Sequence, residues 1–495
     1  MESDLKEQDF DCVFRPASIA LFGVAPSPTN WGGQIWPGAL LDLGFRGALY
    51  PVSSRASEVC GLKAYPSIKD IPGTVDYVIC CIAAEYTPQL MRECISKGVR
   101  VVHLFTSGFS EVEGEEGLRL EAEIVRIARG GGIRVIGPNC PGVYCPESGL
   151  SFGFGLPKEV GRVAGIFQSG GHCIRFVQLA AGRGIRFSKV IACGNCCGLN
   201  ETDFLEYLAH DPDTDIIACY IEGVRDAGRF FKVLKEAAEL KPVIIHKGGH
   251  TDAGTRAAAS HTGALTGADE VWEAVCRQSH IIRVYNVDEL VDVVLAFHFM
   301  LPPKGRNVGI IGGGGGASVQ AADDCESAGL RVPLLPRQIR DELRQFTPAP
   351  NNILKNPIDT QWLMWDTSKF AETVRLVSRW EGVDFVLTPI WTDMFPLSEM
   401  GNLLDVMVEA VLASREVCLK PMAAMIDPGT SAEAAASAAL ARERLASAGL
   451  AVYPSVARAA AAINRFIQHM EFRGSPEHPD PQSRLRWPKT GTRPI

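Results

Sequence analysis

Between Lys247 and Gly267 the sequence reads KGGHTDAGTRAAASHTGALTG, and His261 is the nucleophile candidate of that stretch. Ser260, Thr262, Gly263 and Gly267 leave room around its imidazole, and glycine lets a backbone approach an anion with no Cβ in the way. An imidazole nitrogen can accept a phosphoryl group and pass it on, so phosphoryl transfer is the chemistry on offer. The plain alternative is a histidine that only satisfies a tight turn. Two other glycine turns could hold the anion. Gln168-Ser169-Gly170-Gly171 and the run Gly312 to Gly316 each follow a short apolar strand and precede a helical stretch. The positive end of a helix favours an anion by roughly 0.3 to 1 kcal/mol, more when buried. Five consecutive glycines are costly in entropy and make sense where a backbone must wrap an anion.

Charged side chains stand near these turns. Glu222 closes the apolar run IIACYIEGV, where an ionised carboxylate needs a partner if the strand end is buried and none if it turns to solvent. Lys247 either helps to neutralise a phosphate or is a surface lysine ending its strand. His172, beside the first glycine turn, reads as incidental.

The elements that must position these residues are strands alternating with helices. SIALFGV at 18–24 ends in glycine and runs into a turn-rich loop holding Trp31 and then a helix through Leu43. Further strands are expected at 48–52, 75–83, 99–105 and 133–139, which makes a parallel sheet covered on both faces. A nucleotide-like ligand would lie across its C-terminal strand ends, with phosphates near Gly23. The second strand ends Tyr50-Pro51-Val52-Ser53-Ser54-Arg55, without the acid that binds a ribose hydroxyl in NAD enzymes. Arg55 suits a phosphate, or is a solvated arginine. Asn139, in Gly137-Pro138-Asn139-Cys140-Pro141-Gly142, can orient an oxygen or only fix a bend. A second α/β unit starts near Val163, and a third follows Pro302 to Gly305. The segments 431–448 and 456–470 read as closing helices, and residues after Phe472 as a disordered tail.

At 495 residues and 46% hydrophobic content the chain is long enough for about three domains with full cores. Its net charge of −8 and lack of a Lys/Arg block argue against nucleic-acid and membrane-surface partners. The start MESDLKEQDF has no signal-peptide pattern, and no apolar stretch is long enough to span a bilayer, so the cytosol is the expected compartment. Fifteen cysteines, several in apolar strands such as Cys80, Cys81 and Cys219, read as reduced buried thiols. Cys193, Cys196 and Cys197 contain a C-x-x-C, but no second ligand pair stands at zinc spacing, and metal binding is not expected.

From about residue 15 to about residue 470 the sequence resembles the NDP-forming acyl-CoA synthetases, which include succinyl-CoA synthetase and ADP-forming acetyl-CoA synthetases. Lys247, Gly254, Arg256, Ser260, His261 and Thr262-Gly263 match their phosphohistidine motif. The resemblance implies a Rossmann-like CoA-binding domain over 1–150, a flavodoxin-like ligase domain over 151–302, a second Rossmann-like ligase domain over 303–471 and a tail over 472–495. It implies His261 and Glu222 as catalytic residues, the glutamate hydrogen-bonded to the histidine. Ser169, Gly170, Gly171, Gly314, Gly315, Gly316 and Lys247 would bind phosphate, and Gly23, Ser53, Arg55 and Asn139 coenzyme A. Asn356, Pro357 and Asp359 match an Asn-Pro-x-Asp turn of the third domain. Gly194, Asn195 and Asp203 keep part of another family loop, whose intervening acid is replaced in Cys196-Cys197-Gly198-Leu199-Asn200. Gly23-Val24-Ala25 stands where the family has Gly-Ala-Ser.

Fused relatives continue into an ATP-grasp domain, and the three segments leave no such module over. The implied molecule is an α-type subunit working with a separate ATP-grasp β-type chain, which would carry ATP/ADP and Mg²⁺, in a hetero-oligomer. It would make acyl-CoA from a small carboxylic acid. A non-catalytic CoA-binding regulatory protein of the same descent is the alternative, and an NAD-dependent oxidoreductase is disfavoured by the missing ribose-binding acid.

Overall fold

A computed structural model of the chain describes residues 10–24, 35–262, 268–347, 353–359, 366–392 and 403–473, without the side chains of 258–262. The loop with Trp31 and the residues after Arg473 lie outside these, so the expected tail is described only at Phe472 and Arg473, which end a helix.

Apolar runs of three to eight residues form three sheets. The first holds β1 (Ser18–Phe22), β2 (Ala48–Val52), β3 (Tyr77–Cys80), β4 (Val101–Leu104) and β5 (Arg134–Ile136), in the order β2-β1-β3-β4-β5. All its pairings are parallel, and β1, β3 and β4 are buried along their whole length, as strands covered on both faces must be. Helices α1 (Ile35–Leu43), α2 (Thr87–Lys97) and α3 (Glu115–Gly131) connect them. Glu115 and Glu116 sit in the first turn of α3, and left-handed Gly98 and Gly132 close α2 and α3. The strand order reverses between β1 and β3, which opens a crevice at their C-terminal ends.

The second sheet holds β6 (Gly142–Tyr144), β7 (Val160–Phe167), β8 (Phe187–Ala192), β9 (Ile216–Ile221), β10 (Val243–Lys247) and β11 (Ile282–Val284). Its order is β11-β10-β9-β7-β8-β6, parallel except for β6 against β8. The chain thus enters this sheet at Gly142, ahead of the expected domain break at 150, because the bend at 137–141 turns it straight into an edge strand. Here the reversal lies between β7 and β9. Helix α4 (Gly170–Ala181) follows β7, and α5 (Glu201–His210), α6 (Ala227–Leu240), α7 (Asp252–Thr262) and α8 (Asp269–Gln278) complete the layers. Asn200 and Asp203 form a capping box on α5, an arrangement worth about 1 kcal/mol.

The third sheet runs β12 (Val308–Ile310), β13 (Phe385–Ile390), β14 (Met422–Ile426), β15 (Ala451–Tyr453), all parallel in sequence order. Its core gathers Phe370, Val374, Val386, Val408, Leu445 and their neighbours. Helix α9 (Val287–Phe299) precedes it, α10 (Gly315–Ser327) follows β12, and α11 (Ala432–Ser447) and α12 (Val456–Arg473) are the closing helices the alanine pattern announces. By packing, the chain divides into two compact units. One is Met1–Ala181 with Arg186–Leu290, which carries the first two sheets; the other is Gly182–Ile185 with Val291–Ile495. No described helix is long and apolar enough to cross a membrane.

Candidate functional site

In the first unit the candidate residues gather at the C-terminal edges of the two sheets. Ser169, Gly170 and Gly171 follow β7, Glu222 follows β9, and Lys247 ends β10. Gln168 joins the two strands that diverge here. Its Oε1 accepts the backbone N–H of Glu222 at 2.6 Å and of Gly223 at 3.1 Å, while its Nε2 donates to Gly223 O at 2.7 Å and to Glu201 at 3.2 Å. Glu222 is only 5% exposed, which rules out the solvent-facing reading of that residue. The Tyr220 hydroxyl bonds its carboxylate, and burial followed by that neighbouring charge pushes the phenol up. Gly248 leaves the space they need: a Cβ there would lie 2.6 Å from the Tyr220 hydroxyl and 3.2 Å from Glu222 Cγ.

Lys247 is not a surface lysine either. It is 2% exposed, its ammonium donates to Gly248 O and faces the Trp272 ring at 5.7 Å, and burial lowers its pKa. His172 is not incidental. Its ring stacks on Tyr220 at 4.3 Å and 7°, and its Nδ1 lies 3.1 Å from Ser169 Oγ. His246, opposite Tyr220 in the register, meets Tyr220 edge-on at 4.9 Å, and burial brings its pKa down to about 4. Gln168, Glu201, Tyr220 and His246 were not singled out as site residues from the sequence. Only the adjacency of Gln168 to the glycine turn offered a signal, since the others are brought in by strand order and register.

The phosphohistidine candidate lies in a helix rather than a turn. Residues 252–262, with alanines at 253, 257, 258 and 259, form α7, and His261 is in its last turn. Its side chain and residues 263–267 lie outside the described residues, so its expected bond to Glu222 is a proposal. The helix begins where Thr251 Oγ1 accepts the Gly254 N–H at 3.2 Å, and Thr255 Oγ1 donates to O of left-handed Gly249 at 3.0 Å.

On the first sheet, Gly23 closes β1 at φ 76°, and a Cβ there would stand 2.5 Å from Cys81 O across the crevice. Ser53 Oγ caps the turn after β2 by accepting the N–H groups of Arg55 at 3.3 Å and Ala56 at 3.2 Å, which leaves the Arg55 guanidinium at the exposed rim. A glycine-floored crevice with an exposed cation at the next strand end suits a phosphate-bearing ligand.

Asn139 holds the bend at φ 60° and donates its N–H to Thr106 O at 2.9 Å. The 137–141 bend is the seam between the two sheets. A Cβ on Gly170 would lie 2.7 Å from Pro141, one on Gly194 2.1 Å from Pro138 O, and Cys197 donates to Gly137 O at 3.0 Å. Asn195 adds a lock, donating to Glu111 at 2.5 Å and to Glu121 and Ser110 at 3.2 Å, with Arg225 on Glu121 at 2.9 Å. Burial works to raise the Glu111 carboxyl, but bonds from Asn195 and the Gly108 and Phe109 amides carry it below its usual range.

In the second unit Gly314 is the N-cap of α10, and Gly315 and Gly316 open it at the surface. Asn356 is a fastener here: Oδ1 accepts the Ile310 N–H at 2.9 Å and Nδ2 donates to Val308 O and Pro333 O at 2.9 and 3.0 Å. Asp359 lies near the glycine start, 3.7 Å from where a Gly315 Cβ would be. None of the fifteen cysteines is joined in a disulfide, and the described residues hold no His, Cys, Asp and Glu grouping arranged for a metal.

The chain is similar to known proteins over most of its length. Residues 17–146 match a CoA binding domain and 160–297 a succinyl-CoA ligase like flavodoxin domain. Over 349 residues the chain is 40% identical to the α subunit of acetate–CoA ligase (ADP-forming) II of Pyrococcus furiosus, covering 70% of this chain and 75% of that one. It is 35% identical over 409 residues to acetate–CoA ligase (ADP-forming) I of Archaeoglobus fulgidus, covering 82% of this chain but 57% of that longer protein. Acetyl-coenzyme A synthetase 1 of Ca. Korarchaeum cryptofilum, solved with phosphate and ADP, superposes with a TM-score of 0.78 at 29% identity, over 94% of this chain and 97% of that one. The chain belongs to the ADP-forming acetate–CoA ligase family, within the NDP-forming acyl-CoA synthetases.

Proposed function

We propose that the chain is the α-type subunit of an acid–thiol ligase that joins a small carboxylic acid to coenzyme A at the expense of ATP. The observation that carries this reading is the Gln168 bridge, which holds buried Glu222 at a strand divergence beside the glycine start of α4. The amides opening α4 have no partners within their own helix and can receive phosphate oxygens without rearranging. Glu222 supplies the acceptor that would fix one nitrogen of the His261 imidazole, leaving the other to attack phosphorus. The imidazole takes the γ-phosphoryl group and ADP leaves. The phosphohistidine then passes that group to the carboxylate, and the CoA thiol displaces phosphate from the acyl phosphate to give the thioester. CoA lies at the β1–β3 crevice, against Gly23, Ser53 and Arg55, with Asn139 on the acyl side. The glycine start of α10 offers a second anion site of the same construction in the second unit. ATP, ADP and Mg²⁺ are held by a separate ATP-grasp β-type chain in a hetero-oligomer.

The test is transfer of labelled phosphate from ATP to the full chain with its β-type partner. An acid-labile, base-stable label is expected on the wild type and none on His261→Asn. Labelling that persists in that variant refutes the assignment, and CoA binding without labelling turns the reading to a regulatory protein.

A further inference from the structure

At the start of α4 one serine oxygen serves two groups. Ser169 Oγ accepts the backbone N–H of His172 at 3.3 Å and lies 3.1 Å from Nδ1 of the same residue. A serine has one hydroxyl proton. If His172 Nδ1 accepts, that proton is turned inward and Ser169 offers nothing to a ligand. If Nδ1 carries a proton, Ser169 Oγ accepts twice and its O–H points outward. Flat stacking on Tyr220 holds the ring in place for this.

We propose that His172 is a positioning residue for an oxyanion at the N-terminus of α4, with its Nδ1–H donated to Ser169 so that the serine hydroxyl donates to the anion. This rests on reading α4 as the phosphate-binding helix. The groups facing the ring suit a proton held on Nδ1. From the strands come the Glu222 carboxylate, Tyr220 and neutral His246, whose ring is 5.9 Å away and whose Nδ1 is buried with no hydrogen-bond partner among the described residues. Burial first, against the pull of Glu222, and then Arg175 on α4 itself work against an imidazolium, so what the surroundings decide is which nitrogen of a neutral ring carries the proton. An anion at Ser169 adds the charge that favours the Nδ1–H form.

The experiment is calorimetric titration of the full chain with inorganic phosphate, with ¹⁵N NMR of the imidazole. Wild type should bind with His172 as the Nδ1–H form. Ser169→Ala and His172→Leu should each weaken phosphate about tenfold, the cost of one donor to a charged group. Their combination should be no weaker than either alone, because they remove one interaction. His172→Asn, whose amide can donate from nearly the same position, should recover part of the loss. If Ser169→Ala weakens phosphate and His172→Leu does not, or if the bound wild type carries its proton on Nε2, this proposal falls and the phosphate reading stands. A wild type that binds no phosphate at millimolar concentration removes both.

Discussion

Gln168 Oε1 and the Glu222 backbone nitrogen meet at 2.6 Å, although the residues are 54 positions apart in the chain. The bond exists because β7 and β9 are neighbours whose chains then part. The candidate carboxylate is thereby fixed by a side chain from the glycine turn that would hold the phosphate.

Gln168→Leu removes the bonds that Gln168 gives to the buried Glu222 and Gly223 amides and to the Gly223 carbonyl. At about 1 to 3 kcal/mol for each buried unsatisfied group, partly relieved by relaxation, the loss should be about 3 kcal/mol in urea unfolding. Phosphorylation should fall with it. A variant of wild-type stability would show that Gln168 holds nothing.

Gly23→Ala sets a Cβ 2.5 Å from Cys81 O at a left-handed position. Gly61 has the same φ of 76° with nothing within 4 Å, so Gly61→Ala isolates the backbone cost, about 1 kcal/mol. Gly23→Ala should cost clearly more in thermal unfolding and weaken CoA at least tenfold by titration calorimetry, whereas Gly61→Ala should leave CoA affinity unchanged. Equal effects would place the damage in backbone strain alone.

These relationships mark what the sequence could and could not disclose. Glycine turns at strand ends are local, so Ser169 to Gly171, Gly314 to Gly316 and the strands before them were legible, down to Ala48–Val52. The surroundings of Glu222 were not. Tyr220 and His246 face each other only through the register of β9 and β10, and His172 reaches Tyr220 only because α4 lies over that pair. Lys247 reads as a surface lysine at a strand end until its burial against Trp272 is seen. A histidine satisfying a tight turn is the plain alternative for His261, but the alanines of 252–262 make the segment helical.

His103 and His246 are both held down to about 4 by burial, from an ordinary value of 6.5. Between pH 6.5 and 4 the unfolded chain binds protons that the folded chain refuses. Stability is therefore complete above pH 6.5 and lost as pH falls toward 4, by up to about 1.4 kcal/mol per pH unit for each histidine. Urea midpoints at pH 7.5 and 5 should show the loss, and His246→Phe should remove about one proton's worth of the slope. An unchanged slope would mean that His246 takes up its proton at the same pH in the folded chain as in the unfolded one.

Asn195 offers its amide to Glu111 and Glu121 at once. Asn195→Ala should cost about 2 kcal/mol, the loss of bonds to charged groups. Asn195→Asp should cost more at pH 7 and recover on acidification, because it adds a third carboxylate that must hold a proton to remain. Unfolding curves of the two variants at pH 7 and 5 check the crossing.

In the second unit Asn356 carries three bonds to β12 and the Pro333 carbonyl from a backbone at φ 86°. Asn356 lies in the bend of a short hairpin, Ile353–Leu354 against Ile358–Asp359, and that hairpin also holds the glycine turn, since the Gly312 N–H donates to Ile358 O at 3.1 Å. Asn356→Ala loses the side-chain bonds and adds strain at a positive φ, for about 3 kcal/mol or more; Asn356→Gly loses the bonds but relieves the strain, and should be milder by about 1 kcal/mol. Hydrogen exchange should quicken at Ile310, whose acceptor is removed, and then at Gly312, whose acceptor belongs to the loosened hairpin. Exchange that quickens at Ile310 alone would separate the fastener from the glycine start of α10, and leave that turn held by the Ile311 N–H bond to Leu387 O, 3.0 Å, without help from the hairpin.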